Sequence, residues 1–207
     1  MRVKSNGYLR SFGALLTVIL FSALAVAQET PEAQRQTLLQ NVKIKNFGQM
    51  DERFYRGAQP KTEADYKLLA ALGVKTVIDL QANPRDYERG FVEANGMRYV
   101  NIPMEAKTYP TEEQVQAFLK LVDDPSTGAF YLHCAGGRHR TGAMGAVYRF
   151  NKYGWNYEQV YSEMKKFDFY TSWGHGDYKK FVQDYWQKVQ TNGHAAAPVT
   201  NVATTGQ

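Results

Sequence analysis

Residues 131–142 read YLHCAGGRHRTG and contain the single cysteine of the chain, Cys134. An apolar run (GAFYL, 128–132) precedes this stretch, and a run typical of a helix (AMGAVYRF, 143–150) follows it. The pattern predicts a strand, a tight loop and the start of a helix. Glycines let successive backbone N–H groups turn inward, and the helix N-terminus adds partial positive charge at the same point. The stretch therefore predicts a loop that holds a phosphate, with Cys134 at its rim.

The side chains of this loop also favour a reactive cysteine. Arg140 can direct two parallel hydrogen bonds onto a tetrahedral oxyanion. The positive field of the loop lowers the pKa of a thiol beside it, because the thiolate is the form that the field stabilises. A buried structural cysteine is the alternative, but it has no need of the neighbouring arginine, glycine pair and threonine. A Walker-type phosphate loop is a weaker alternative, because it requires a lysine before the Ser/Thr, where this sequence has Arg140, and a glycine earlier in the loop.

The order His133-Cys134, a five-residue spacer and Arg140-Thr141-Gly142 resembles the signature of cysteine-dependent protein tyrosine and dual-specificity phosphatases. We assign Cys134 as the nucleophile that forms a phosphocysteine, with Arg140 and backbone N–H groups of the loop holding the phosphoryl oxygens. The resemblance implies that Thr141 hydrogen-bonds the thiolate and that His133 supports the loop from behind. The expected substrate-binding residues are Ala135, Gly136, Gly137, Arg138, His139 and Arg140. We expect no cofactor and no metal.

Strand and helix patterns alternate along the rest of the chain, which favours an α/β fold with a mainly parallel central sheet flanked by helices. Strands are expected at Val42–Phe47, Arg53–Arg56, Val74–Leu80, Met97–Ile102 and 128–132. Helices are expected at Glu63–Leu72, Asp86–Ala94, Glu112–Val122, Thr141–Tyr153, Tyr157–Phe167 and Asp177–Val189, with Thr62 and Thr111 as caps. The resemblance implies a three-layer fold of the dual-specificity type. The segment YRGAQP (55–60) with the later strand VIDL (77–80) looks like the compact atypical group, in which an arginine such as Arg56 is near the site. We treat Arg56 as structural.

The general acid departs from the pattern of the family. In the family, an aspartate on a loop that follows a strand protonates the leaving group. The matching loop, Pro103–Pro110, contains no aspartate, and Glu105 is its only carboxylate. We therefore predict Glu105 as the general acid, with Asp86 as the fallback. If neither serves, the enzyme is restricted to good leaving groups.

Arg138 and His139 are basic residues inside the phosphate loop. They suit substrates with several phosphates, such as inositol phosphates, although they could equally shape the loop or face solvent. The expected partners are thus a phosphorylated protein (on tyrosine, serine or threonine) or a polyphosphorylated small molecule. The WGHG run (173–176) is either a loop at the edge of the site or a simple connector.

The N-terminus of this 207-residue chain has the pattern of a secretory signal peptide. Three basic residues lie in 2–10, an apolar run covers Phe12–Val26, and Ala25-Val26-Ala27 fits a cleavage site. An uncleaved membrane anchor is the alternative, but the apolar run is shorter than the ~18–20 residues of a spanning helix. We therefore favour the signal peptide and expect no stable membrane span after cleavage. Without those three basic residues the formal charge falls from +5 to +2, which is no argument for nucleic-acid binding.

The predicted organisation is a signal peptide (1–27), a linker (28–41), a cysteine phosphatase domain (42–190) and a disordered tail (191–207). The polar, glutamine-rich residues 28–40 are expected to form either this linker or a loose helix. An exported, periplasmic or secreted phosphatase is the favoured interpretation. Two alternatives stay open at this point. One is a sulfur transferase or thiol reductase that uses Cys134, and the other is a non-catalytic phosphate-binding module. The oligomeric state is not predicted.

Overall fold

The computed structural model describes residues 30–191, and the predicted signal peptide and nearly all of the predicted tail lie outside them. The strands are β1 (Gly48–Gln49), β2 (Phe54–Ala58), β3 (Val74–Gln81), β4 (Arg98–Met104) and β5 (Ala129–Cys134). The helices are α1 (Pro31–Asn41), α2 (Glu63–Ala71), α3 (Asp86–Ala94), α4 (Glu112–Asp123), α5 (His139–Tyr153), α6 (Tyr157–Lys166) and α7 (Gly176–Thr191). None of the helices in this part of the chain combines the length and apolar character needed to cross a bilayer.

The five strands form one sheet in the order β1-β2-β5-β3-β4. All neighbours are parallel except β1 and β2, which are antiparallel. The predicted mainly parallel α/β fold is therefore confirmed. Its central strand, β5, ends at Cys134, so the cysteine lies at the carboxyl edge of the sheet where ligands of such folds bind.

Side chains of the sheet alternate between two apolar cores, which makes the fold three-layered. On β3, Val77 belongs to the core beneath α1, α2 and α3, whereas Ile78 and Leu80 belong to the core beneath α4, α5, α6 and α7. Helix α5, which follows the phosphate loop, is buried along most of its length. This burial fixes the loop between two rigid elements.

The predicted caps are present. Thr62 accepts a hydrogen bond from the N–H of Asp65, and Thr111 accepts one from the N–H of Gln114. Both threonines belong to reciprocal capping boxes, which satisfy two N–H groups at the start of α2 and of α4.

One of two predictions near the N-terminus is wrong. The segment 28–41, predicted as a linker or a loose helix, contains the helix α1, whose Leu38 and Leu39 pack against the core beneath α2 and α3. The segment Val42–Phe47 alternates like a strand but forms none, and its Ile44 and Phe47 instead pack on the same core. Both segments are held by contacts between scattered apolar side chains and the core, and such contacts leave no local pattern in the sequence.

Candidate active site

Cys134 lies at the base of a pocket of about 210 Å³. In the sheet register, Ala58 of β2 pairs with Cys134, and Asp79 of β3 pairs with His133, so three parallel strands end around the cysteine. The lining residues come from the phosphate loop with the start of α5, the loop after β4, the segment between α6 and α7, and α7 itself: Ala106, Lys107, Cys134, Ala135, Gly136, Arg138, His139, Arg140, Tyr170, His175 and Tyr178. The structure thus brings together nearly all of the predicted substrate-binding residues.

The carbonyl groups of the phosphate loop are held by side chains from elsewhere in the chain. Asn46 donates to the carbonyl of Gly136 at 2.8 Å, and Arg56 donates to the carbonyl of Gly137 at 2.7 Å. In a trans peptide the N–H points opposite to the C=O, so these bonds direct the N–H groups of Gly137 and Arg138 the other way, toward the concave side. The loop is therefore organised to receive an anion.

Gly137 does not line the pocket but makes the loop possible. Its φ is +66°, and a Cβ there would lie 2.3 Å from the carbonyl carbon of Gly57. Any larger residue would both strain the backbone and clash with the end of β2. Arg56 is buried, and its guanidinium carbon lies 4.1 Å from the centroid of the Phe167 ring. This position agrees with the predicted structural role of Arg56.

The thiol of Cys134 is prepared as a thiolate. Burial alone would raise its pKa, but the charge of Arg140 and hydrogen bonds from Thr141 and Gly136 outweigh burial and lower the pKa below its usual value. The hydroxyl of Thr141 is buried and forms no geometrically complete hydrogen bond to a described residue, so it is available to the sulfur of Cys134. This geometry matches the role that the resemblance implied for Thr141.

Arg140 is oriented by the ends of two strands. Its Nη1 donates to the carbonyl of Met104 at 2.9 Å and to the carbonyl of Leu80 at 3.3 Å. These bonds use one nitrogen of the guanidinium and keep its plane fixed at the pocket wall. The remaining donors are available for a planar, two-point contact with phosphoryl oxygens.

His133 is fully buried behind the loop, between two carboxylates. Its Nε2 lies 2.8 Å from Oε1 of Glu88, an ion pair by distance although the ring N–H is not aligned on the oxygen, and its Nδ1 lies 3.8 Å from Oδ1 of Asp79. Burial would lower the pKa of His133, but Glu88 and Asp79 outweigh it and raise the pKa. His133 therefore lies behind the site, where the two carboxylates favour its charged form, and does not face the pocket, as the resemblance implied.

The two predicted general acids do not reach this pocket. Glu105 lines a separate groove with Ala82, Thr108 and Tyr109, while its neighbours Ala106 and Lys107 line the Cys134 pocket. Asp86 is exposed in the first turn of α3. A catalytic role for Glu105 stays a prediction, and it requires the loop after β4 to change its conformation.

Several pocket residues were missed by the sequence reasoning. Lys107, Tyr170 and Tyr178 carry no motif of their own. Lys107 lies on the loop after β4, whereas Tyr170 and Tyr178 reach the pocket because α7 packs on α5. The hydroxyl of Tyr178 donates to the carbonyl of Glu105 at 3.1 Å, which ties α7 to the loop after β4. His175 belongs to the WGHG run, which the sequence predicts to be either a loop at the edge of the site or a connector. The structure confirms the position at the edge of the site.

A family model described as a DSP-PTPase phosphatase fused to NAD+ kinase matches residues 29–183. The match covers most of the chain and includes the complete site, so this protein belongs to that family of cysteine-dependent phosphatases.

Known proteins with related sequences or structures agree with this assignment. "Probable tyrosine-protein phosphatase DG1060" of Dictyostelium discoideum is 29% identical over 128 residues, covering 59% of this chain and 75% of that protein. "Inositol diphosphatase DSP3" of Arabidopsis thaliana is 30% identical over 104 residues, covering 48% of this chain and 51% of that protein. The crystal structure of P. aeruginosa TpbA in complex with pTyr has a TM-score of 0.54 and 25% identity, covering 72% of this chain and 88% of that one. The sulfur-transfer, thiol-reductase and binding-module alternatives are not favoured.

The lowered pKa of Cys134 predicts fast alkylation at neutral pH. Because the thiolate is the reactive form, the rate of inactivation by iodoacetamide should rise with pH through a midpoint below the ~8.5 of a free cysteine. Replacing Thr141 with valine removes one stabilising hydrogen bond and should move this midpoint upward. The measurement is the inactivation rate over a range of roughly pH 5–9. A midpoint at or above that of free cysteine would contradict the prepared thiolate.

Proposed function

We propose that this phosphatase acts on phosphate esters that carry further negative charge beside the scissile phosphate, such as polyphosphorylated small molecules. The observation that carries the proposal is the charge of the pocket wall. Lys107, Arg138 and Arg140 all line the pocket, and the described lining contains no carboxylate. One phosphoryl group uses the loop N–H groups and Arg140, so Lys107 and Arg138 are left for other anionic groups of the substrate.

In this proposal Cys134 attacks phosphorus and Arg140 holds the equatorial oxygens. Thr141 stabilises the departing thiolate in the second half of the reaction, and His133 fixes the end of β5. Arg138 is shared between substrate and protein, since its Nη2 lies 3.4 Å from Oδ2 of Asp168 and its side chain is partly exposed. An exposed pair of this kind is weak and breaks readily when a phosphate offers a stronger partner.

A phosphotyrosyl protein is the second candidate substrate. Aromatic rings from Tyr170 and Tyr178 line the same pocket and could pack on a phenyl leaving group. The two relatives named above differ in the same way, one being called a tyrosine-protein phosphatase and the other an inositol diphosphatase. The charge of the wall favours the polyphosphorylated class, and the aromatic lining favours the phosphotyrosyl class.

A charge-neutral substitution separates the two candidates. Lys107→Gln keeps most of the side-chain length, so KM for an inositol polyphosphate should rise roughly tenfold, the effect of one hydrogen bond to a charged group. KM for a phosphotyrosyl peptide with one phosphate should change little. The matched control is Lys120→Gln, since Lys120 is exposed on α4 and far from the pocket lining. Equal effects of Lys107→Gln on both substrates would contradict the preference for clustered charge.

We also propose that the phosphatase is exported. The support is the basic, apolar and small-residue order of residues 2–27, together with a lone cysteine that is easiest to understand as a working thiol in an oxidising compartment. Mass analysis of the protein after expression in a secreting host tests this, because cleavage after Ala27 leaves Gln28 as the first residue.

A further inference from the structure

The leaving oxygen of a phosphate ester needs a proton unless the leaving group is a good one. Among the described residues that line the Cys134 pocket there is no aspartate or glutamate. Two histidines, His139 and His175, are the lining side chains whose ordinary pKa values lie near neutrality. They come from different elements, His139 from the first turn of α5 and His175 from the segment before α7.

The two imidazole rings are stacked face to face. Their centroids are 3.6 Å apart and their planes differ by 3°. The ring of Tyr170 lies edge-on to both imidazole rings, and the ring of Tyr178 is nearly parallel to both. The stack therefore holds the His175 ring at a defined place on the pocket wall although the segment around it is exposed.

His139 is not available as an acid. Its Nε2 lies 3.0 Å from the carbonyl oxygen of Tyr170, and since a carbonyl only accepts, this nitrogen carries a proton that is already donated. Burial, with smaller contributions from His175, Arg138 and Arg140, lowers the pKa of His139 to about 4. At neutral pH His139 is thus an uncharged support beneath His175.

His175 differs from His139 in both its burial and its hydrogen bonding. It is only partly buried, and neither of its ring nitrogens hydrogen-bonds to a described residue; its Nδ1 is buried without any partner. No protein acceptor therefore competes for its proton. We propose that His175 is the proton donor for the leaving group, a residue role that rests on the proposed phosphatase function of Cys134.

The chemical step balances with the groups at hand. The Sγ–P bond forms as the bond between phosphorus and the leaving oxygen breaks, and that oxygen keeps the electron pair and takes the proton of the His175 imidazolium. In the second half, neutral His175 removes a proton from water, whose oxygen attacks phosphorus. The Sγ–P bond then breaks, which returns the Cys134 thiolate and releases phosphate.

The charges around His175 couple its protonation to substrate binding. The groups that face it are Lys107 from the loop after β4, Arg138, His139 and Arg140 from the phosphate loop, Cys134, Tyr170, and Tyr178 from α7. Burial, Lys107, Arg138 and Arg140 together lower the pKa of His175 in the free enzyme. A bound phosphate dianion neutralises these cations, so its arrival raises the pKa of His175 and charges the donor when substrate is present.

The test is a leaving-group series measured without added metal. His175→Asn should lower kcat on alkyl phosphates by about 10² or more, the usual contribution of a general acid. On para-nitrophenyl phosphate, whose leaving group needs no proton, kcat should change little, and inhibition by vanadate should be retained. Since the acid must be protonated, kcat of the wild type should fall as pH rises through the pKa of His175 in the complex, and this limb should be missing in the variant.

Two further variants separate the possible results. Ser172→Ala is the matched control for the segment, because its side chain is exposed and lies three residues before His175, and it should behave like the wild type. An equal loss on all substrates in His175→Asn, or no loss at all, would overturn the proposal. It would also be overturned if Glu105→Gln, and not His175→Asn, showed the leaving-group-dependent loss. A wild type that does not hydrolyse para-nitrophenyl phosphate would overturn the proposed function itself.

Discussion

Cys134→Ser is expected to abolish turnover, lowering kcat by on the order of 10⁴–10⁶-fold, the usual effect of removing a nucleophile. The loop lowers the pKa of the Cys134 thiol and so favours the thiolate, but a serine hydroxyl starts from a far higher pKa and keeps its proton. The measurement is kcat on para-nitrophenyl phosphate under reducing conditions, with Cys134→Ala measured in parallel.

Binding should survive both replacements, because the loop N–H groups and Arg140 do not depend on the sulfur. Phosphate titrated into Cys134→Ser should therefore still bind. Acid quenching of the wild type during turnover should trap one phosphoryl group on the peptide that contains Cys134. Substantial turnover by the serine variant, or a trapped phosphoryl group on another residue, would remove Cys134 from the role of nucleophile.

The second large effect is expected on stability. Glu88→Ala should lower the free energy of unfolding by about 3–5 kcal/mol, the cost of leaving one partner of a buried ion pair alone. Glu88 is fully buried, and its oxygens also accept hydrogen bonds from Tyr66 at 3.0 Å and from Gln59 at 2.9 Å. The loss corresponds to roughly 6–20 °C in Tm for a domain of this size.

The same helix provides the control. Glu93 is exposed and pairs only with Arg89 one turn away, so Glu93→Ala should cost less than about 0.5 kcal/mol. Thermal unfolding of both variants, followed by circular dichroism, measures the difference. Equal Tm values for Glu88→Ala and Glu93→Ala would show that the buried pair contributes nothing.

The pH dependence of stability gives a second readout for this pair. Because the folded-state pKa of His133 is raised, its contribution is fully present below the ~6.5 of a free histidine and is lost as pH rises through the raised value. Glu88→Gln removes the charge that raises this pKa and should flatten the dependence. Asp79 remains beside His133, with its oxygens accepting from the hydroxyl of Tyr99 and the N–H of Gln81, so the variant keeps part of the effect.

Local sequence patterns predicted most of the helices and strands because the signals for them are local. Apolar periodicity located α2, α3, α4, α5, α6 and α7, and the threonine caps gave two of their start points. The same reasoning failed at Val42–Phe47, an irregular segment that is stabilised by a few apolar contacts with the core. Such contacts have no period that a sequence window can detect.

The phosphate loop was predictable for the same reason. Cys134, Arg140 and Thr141 lie within eight residues, so the geometry of one strand, one loop and one helix start determines their arrangement. The supporting residues were not predictable. Glu88, 45 positions before His133, becomes its ion-pair partner only because α3 folds back over the sheet.

The sequence by itself determined the class of chemistry, since nucleophile, oxyanion loop and arginine occupy one continuous stretch whose backbone geometry is set locally. The tertiary structure alone decided which groups complete the pocket. The tertiary structure places Glu105 at a neighbouring groove, and it places Lys107 and His175 at the wall of the pocket beside Cys134. The physical reason is that packing of α7 against α5, and the resulting path of the connecting loops, depends on contacts between residues far apart in the chain.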